Sequence, residues 1–238
     1  MIPWAIESGS RAWGFPSPDS DYDCRFVYVR PRADYLALFP RRDVIETPLD
    51  AVLDVNGWDL QKALRLLLKG NAVVIEWFQS PIVYRGDRAF RDRFLALADA
   101  VANRQAVARH YFHLGREMLR RVQSETGIVP LKKAFYSLRP ALTLRWLRLN
   151  PDRRLAPMHF PTLCDEADLL VAIRSEIDRL LALKARTREM GEDLLPDVLS
   201  NLLARELVID GIEPAAGELP EAERRDLAER FFIAAIQA

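Results

Sequence analysis

Cysteine and histidine are scarce in this chain. Its 238 residues hold two cysteines, Cys24 and Cys164, far apart and without metal-ligand spacing. They fit reduced thiols rather than a disulfide framework. The three histidines, His110, His113 and His159, form no convincing ligand set. No apolar run approaches the length of a membrane span. No signal peptide is visible, because Met1-Ile2-Pro3-Trp4 leads straight into the region richest in motifs. A cytoplasmic protein with no membrane partner is expected. Internal repeats and low-complexity tracts are also lacking.

Net charge is missing too, with 34 basic and 34 acidic side chains, but the balance conceals a pattern. Residues 1–86 carry net −1, residues 87–160 net +9 and residues 161–238 net −8. A polyanion or a triphosphate is a natural partner for the basic middle segment. The alternative is that the basic and acidic segments neutralise each other inside the fold.

What is present divides the chain in two. The first part reads as α/β, with strands over Trp4 to Ser8 and Asp21 to Val29 and a strand or hairpin over Val44 to Val55. Arg11 to Gly14 reads as a turn or short helix, and Asp34 to Phe39 as a short helix. Asp59 caps a helix over Leu60 to Lys69, with Gly70 just past its end, and Asn71 opens another that stops before Pro81. From Asp87 onward apolar residues recur at helical spacing. Helices are expected over 87–103, 105–125, 131–149, 163–190, 192–209 and 220–237, with a kink or restart at Pro140 and a proline-rich connector over 149–161. The expected fold is α+β: a small mixed β-sheet core over 1–86, then an all-helical region over 87–238.

The chemistry concentrates near the start. Ser8-Gly9-Ser10-Arg11-Ala12-Trp13-Gly14 is followed by Ser20-Asp21-Tyr22-Asp23. Carboxylates at i and i+2 on a strand point to one face, where they can hold a hard divalent cation through oxygen. The Gly9-Ser10 turn offers backbone N–H groups and a hydroxyl to a phosphate. Both together are the equipment of phosphoryl or nucleotidyl transfer. A merely structural origin for Asp21 and Asp23 would be the turn around Pro16, Pro18 and Ser20, where Asp19 also sits.

These words, with Gly57-Trp58-Asp59-Leu60 and Glu76-Trp77 to Ser80-Pro81-Ile82-Val83-Tyr84, resemble the DNA polymerase β-type nucleotidyltransferase superfamily, in a bacterial branch tied in part to RNA repair. The resemblance is strong over 5–85 and weaker through Lys132-Lys133-Ala134-Phe135-Tyr136-Ser137-Leu138-Arg139-Pro140. It implies two Mg²⁺ (or Mn²⁺) ions held by Asp21 and Asp23, one activating an attacking hydroxyl and the other stabilising the leaving pyrophosphate. It further implies a third carboxylate from a neighbouring strand. Asp54 and Asp59 compete for that place, and Asp54 is preferred because Asp59 is explained as a helix cap. Relatives usually begin with a helix before the first strand, whereas few residues precede it here. Either a frayed first strand or an upstream start codon would account for that.

For the nucleotide, Gly9 and Ser10 are candidates for close phosphate approach, and Arg11 either reaches a phosphate or makes an intrachain pair. Glu76 reads as a buried organiser of the core more than as support for the site. Lys132, Tyr136 and Arg139 share a helix face, and could hold the triphosphate and stack a base or sugar; a solvated face with an inward tyrosine is the plainer reading. The expectation is a metal-dependent transfer of a nucleoside monophosphate from an NTP to an RNA end, a protein or a small molecule. The rival is an inactive nucleotide- or RNA-binding module of the same fold.

Overall fold

A computed structural model describes residues 1–48, 52–122, 128–188 and 190–237. The first part holds β1 (Trp4–Glu7), α1 (Gly9–Ala12), β2 (Tyr22–Tyr28), α2 (Arg32–Tyr35), β3 (Val44–Glu46), β4 (Leu53–Asp59), α3 (Leu60–Leu68), α4 (Ala72–Gln79) and β5 (Val83–Gly86). Then follow α5 (Arg88–Val101), α6 (Arg104–Val122), β6 (Ile128–Pro130), α7 (Leu131–Leu149), α8 (Phe160–Glu166), α9 (Val171–Arg186), β7 (Glu192–Leu194), α10 (Asp197–Glu206) and α11 (Glu221–Gln237).

The sheet is mixed, in the order β3-β4-β2-β1-β5, and only β2 and β4 run parallel. β1 is not frayed: it pairs on both sides, and the Met1 amino group donates to the Val29 carbonyl. Alternation buries Trp4, Ile6 and Val27 beneath α3 and α4. There Leu60, Ala63, Leu64 and Leu67 recur at helical spacing, and Phe78 stacks between Trp4 and Phe94. Three side-chain caps set the helix starts: Asp59 accepts from Gln61 N, Asn71 from Val73 N and Asp87 from Ala89 N.

The helical part shares one continuous apolar core with the sheet. α7 runs through its middle unbroken by Pro140, flanked by α6, α8 and α10. α11 returns to the first part, where Phe232 meets Tyr35 and Phe231 meets Phe90 and Phe94.

Three expectations are corrected. The helix expected over 163–190 is two helices, parted where Asp168 takes a left-handed conformation at φ 47°. The helix expected from 192 starts at Asp197, because Glu192–Leu194 pairs with Ile128–Pro130 as a two-stranded ribbon, the one departure from an all-helical second part among the described residues. The last strand of the 44–55 segment extends to Asp59; residues 49–51 lie outside the described residues.

Candidate active site

The parallel register of β2 and β4 sets Asp23 opposite Asp54. Both are partly buried, and Arg25, two residues along from Asp23 on the same face, bridges them. Its Nη2 donates to Asp23 Oδ1 at 2.7 Å and to Asp54 Oδ2 at 2.6 Å. Asp21 is exposed at the entry to β2. Burial pushes the Asp23 carboxyl above its ordinary value; Arg25 opposes this, and the charges of Asp21, Glu7 and Asp54 add to it.

Glu7, at the end of β1, is 1% exposed and organises the strand from behind. Its Oε1 accepts from the Asp23 backbone N–H at 3.0 Å, and its Oε2 accepts from the Tyr84 hydroxyl. Gly9 lies beneath the Asp23 carboxylate with φ +60°, and a Cβ there would sit 1.9 Å from Asp23 Oδ2. Only glycine allows both the backbone conformation and this approach.

The ten-residue gap between Gly9-Ser10 and Asp21-x-Asp23 is a closed loop. Ser10 Oγ donates to Ser20 Oγ at 2.9 Å, and Ser20 Oγ also accepts from Ser17 N. Arg11 donates to the Ser20 and Asp21 carbonyls at 2.7 and 3.0 Å and covers the Tyr22 ring at 3.9 Å. Its guanidinium is therefore occupied within the chain.

The expected helix face divides. Lys132 stays at the surface, gripping both oxygens of Asp19 at 3.0 and 2.9 Å and the Arg188 carbonyl at 3.1 Å. That bond holds Asp19 down to about 2. Tyr136 is half-buried, edge-on to Trp13 and Phe15. Burial raises the pKa of its hydroxyl, and the charges of Asp21 and Asp23 raise it further. Arg139 departs from the expectation of a phosphate-facing cation: it is 3% exposed and turned inward. It donates to Glu76 Oε1 at 2.5 Å and lies 4.2 Å over the Trp13 ring. Trp13 Nε1 and the Tyr111 hydroxyl complete the shell around Glu76, which does organise the core.

Residues 1–234 match the family model RlaP, described as the RNA repair pathway DNA polymerase beta family. The chain belongs to the RlaP family. It is also 37% identical over 231 residues to "Uncharacterized protein YcgL" of Bacillus subtilis (strain 168), covering 97% of this chain and 86% of the relative. The polymerase-β-like fold of the RlaP family accounts for the mixed sheet and the helical remainder, and no helix among the described residues is long and apolar enough to cross a membrane.

For a metal in this RlaP site, the donors are of the right kind, since carboxylate oxygens suit Mg²⁺ or Mn²⁺. Among the described residues, however, no three His, Cys, Asp or Glu side chains are gathered tightly enough to enclose an ion as they stand. At Asp23 and Asp54 the Arg25 guanidinium occupies one oxygen of each carboxylate. Asp59, the competitor of Asp54, is 3% exposed, caps α3, pairs with Arg30 at 3.3 Å and accepts from Tyr35. A cavity of about 700 Å³ lies away from the carboxylates, between α3, α6 and α11, and none of the candidate residues lines it.

Sequence reasoning missed Arg25 and Glu7. The signal for Arg25 was present, at i+2 from Asp23 on one strand face. Glu7 opens the run Glu7-Ser8-Gly9-Ser10, but its role depends on hydrogen bonds between strands.

Proposed function

We propose that this chain is a metal-dependent nucleotidyltransferase that moves a nucleoside monophosphate from an NTP to an acceptor hydroxyl or phosphate, with release of pyrophosphate. The observation that supports this best is the register-matched Asp23 and Asp54, with Gly9 opening the space beneath Asp23 and Asp21 at the strand entry. Asp21 and Asp23 would hold Mg²⁺ or Mn²⁺, joined by Asp54 once Arg25 releases it. The metal supplies charge neutralisation at the phosphates and lowers the pKa of an attacking hydroxyl. Glu7 fixes the Asp23 backbone, Ser10 would turn its hydroxyl from Ser20 to a phosphate, and Tyr136, edge-on to Trp13, would take a base or sugar. An RNA end is the favoured acceptor, by analogy with the RNA repair named in the family description.

A second reading, a nucleotide- or RNA-binding module without turnover, is favoured by one observation: a guanidinium joins Asp23 to Asp54. The test is incubation of the chain with each labelled NTP, Mg²⁺ or Mn²⁺, and RNAs with defined 5′ and 3′ ends. Label on an RNA end that disappears in Asp23→Asn supports the transferase. Nucleotide binding with no labelled acceptor, in pooled lysate as well as RNA, supports the module.

A further inference from the structure

The cavity of about 700 Å³ between α3, α6 and α11 has the size of a small-molecule site and an unbalanced lining. Five basic side chains line it against two acidic ones, Glu221 and Glu229. Glu221 is already paired with Arg225 at 2.5 Å. Among the described residues, the side chains of Arg65, Lys69 and Arg109 make no hydrogen bond or ion pair. All three are exposed, so an anion can reach them. Arg224 holds the Val101 carbonyl through Nη1 at 3.4 Å, while its buried Nε meets no acceptor. The negative end of α3 accounts for Arg65 and Lys69. It does not account for Arg109, inside α6 and lining the same space. Gly70 packs on Ala106, so the end of α3 touches α6 one turn before Arg109.

The rest of the lining is largely apolar, with Leu64, Leu68, Ala228 and Phe232. α11 closes the cavity, yet of its 17 residues only Ala228 is buried. Its far half is anchored through Phe231 and Phe232. Each turn of its first half lines the cavity, through Glu221, Arg225 and Glu229. An apolar body laid against Leu68 and Phe232 would cover surface that α11 leaves open.

We propose that this cavity binds an organic phosphate monoester with an apolar or aromatic body, and that the ligand fastens α11 onto α3 and α6. Its phosphate takes Arg65, Lys69 and Arg109. A guanidinium matches phosphate oxygens in pairs, and a doubly charged group suits three cations better than a carboxylate does. The site is separate from Asp21, Asp23 and Asp54, and it stands whether or not the chain transfers nucleotides.

The experiment is calorimetric titration of the full chain, in EDTA, with 1-naphthyl phosphate, inorganic phosphate and 1-naphthol. The ester should bind at least about tenfold more tightly than either part alone. Lys69→Gln and Arg109→Gln should each weaken it by about tenfold or more, the loss of one charge-assisted hydrogen bond. Neither should move the melting temperature of the free protein, because neither side chain has a partner to lose. Saturating ester should slow amide hydrogen exchange in α11. No binding of the ester by the wild type overturns the proposal, as does wild-type affinity in both variants. Inorganic phosphate that binds as tightly as the ester overturns the apolar part of the site. Unchanged exchange in α11 overturns the fastening. Asp23→Asn should bind the ester normally; a loss there would move the ester to the carboxylates and overturn the separate site.

Discussion

Asp23 and Asp54 face each other across parallel strands and share one cation, the Arg25 guanidinium. Neither carboxylate is placed by its own strand alone, and replacing either leaves Arg25 with a single carboxylate partner beside the Cys24 and Asp54 carbonyls. Asp59, five residues after Asp54 on the same strand, is embedded in a different set of bonds, to Gln61, Arg30 and Tyr35.

That difference separates two substitutions. Asp54→Asn should lower transfer by about a hundredfold or more, with the loss in turnover, and leave the melting temperature nearly unchanged. Asp59→Asn keeps the cap but loses the Arg30 pair, so it should destabilise by roughly 1–3 kcal/mol while the folded fraction stays active. Single-turnover rates beside thermal melts check both. A dead Asp59→Asn with a live Asp54→Asn would reverse the assignment of the third carboxylate.

Gly9→Ala should be the most damaging conservative change in the first part. The methyl meets Asp23 Oδ2, and the backbone sits where alanine is strained by about 1–2 kcal/mol. Both a lower melting temperature and displaced Asp23 chemistry are expected. Normal turnover in a well-folded Gly9→Ala would show that Asp23 works from another position.

Arg139→Ala should act on stability before it acts on nucleotide. It leaves Glu76 buried without its cation, a loss of about 3–5 kcal/mol. Urea unfolding should show it, and a Glu76→Gln/Arg139→Met double variant should recover part of it. Nucleotide affinity that falls in Arg139→Ala with an unchanged urea midpoint would return Arg139 to the ligand.

Lys184 gives a pH signature. Its pKa falls on folding from 10.5 to about 8, so between those values the unfolded chain binds more protons, and stability rises with pH. Below about pH 8 the wild type carries the full penalty, up to about 3 kcal/mol. Lys184→Met should therefore be the more stable protein at neutral pH, and its advantage should shrink as pH rises through that window. Paired urea midpoints at about pH 7 and about pH 10 measure it; a constant gap would show that the ammonium is not desolvated.

Features carried by near neighbours in the chain were legible. The caps at Asp59 and Asn71 and the strand through Asp23 follow from spacing and local hydrogen bonding. What escaped depends on distant partners. Glu192–Leu194 becomes a strand only because Ile128–Pro130 lies beside it. Lys132 and Arg139 share a helix face, yet α7 descends into the core between them, so one meets Asp19 at the surface and the other meets Glu76 inside. Lys184 had a visible signal, a lysine at the next buried position after Ile173, Ile177 and Leu180.

The return of α11 to the first part sets an order of events during synthesis. Tyr35 and Phe232 end in contact, 5.0 Å between ring centroids, although the ribosome makes them far apart in time. At about 5–20 residues per second that interval is roughly 10–40 s. Until then the apolar surface that Phe231 and Phe232 will cover stays open on α3 and α5. The nascent α/β part therefore keeps that surface uncovered until nearly the whole chain has been made.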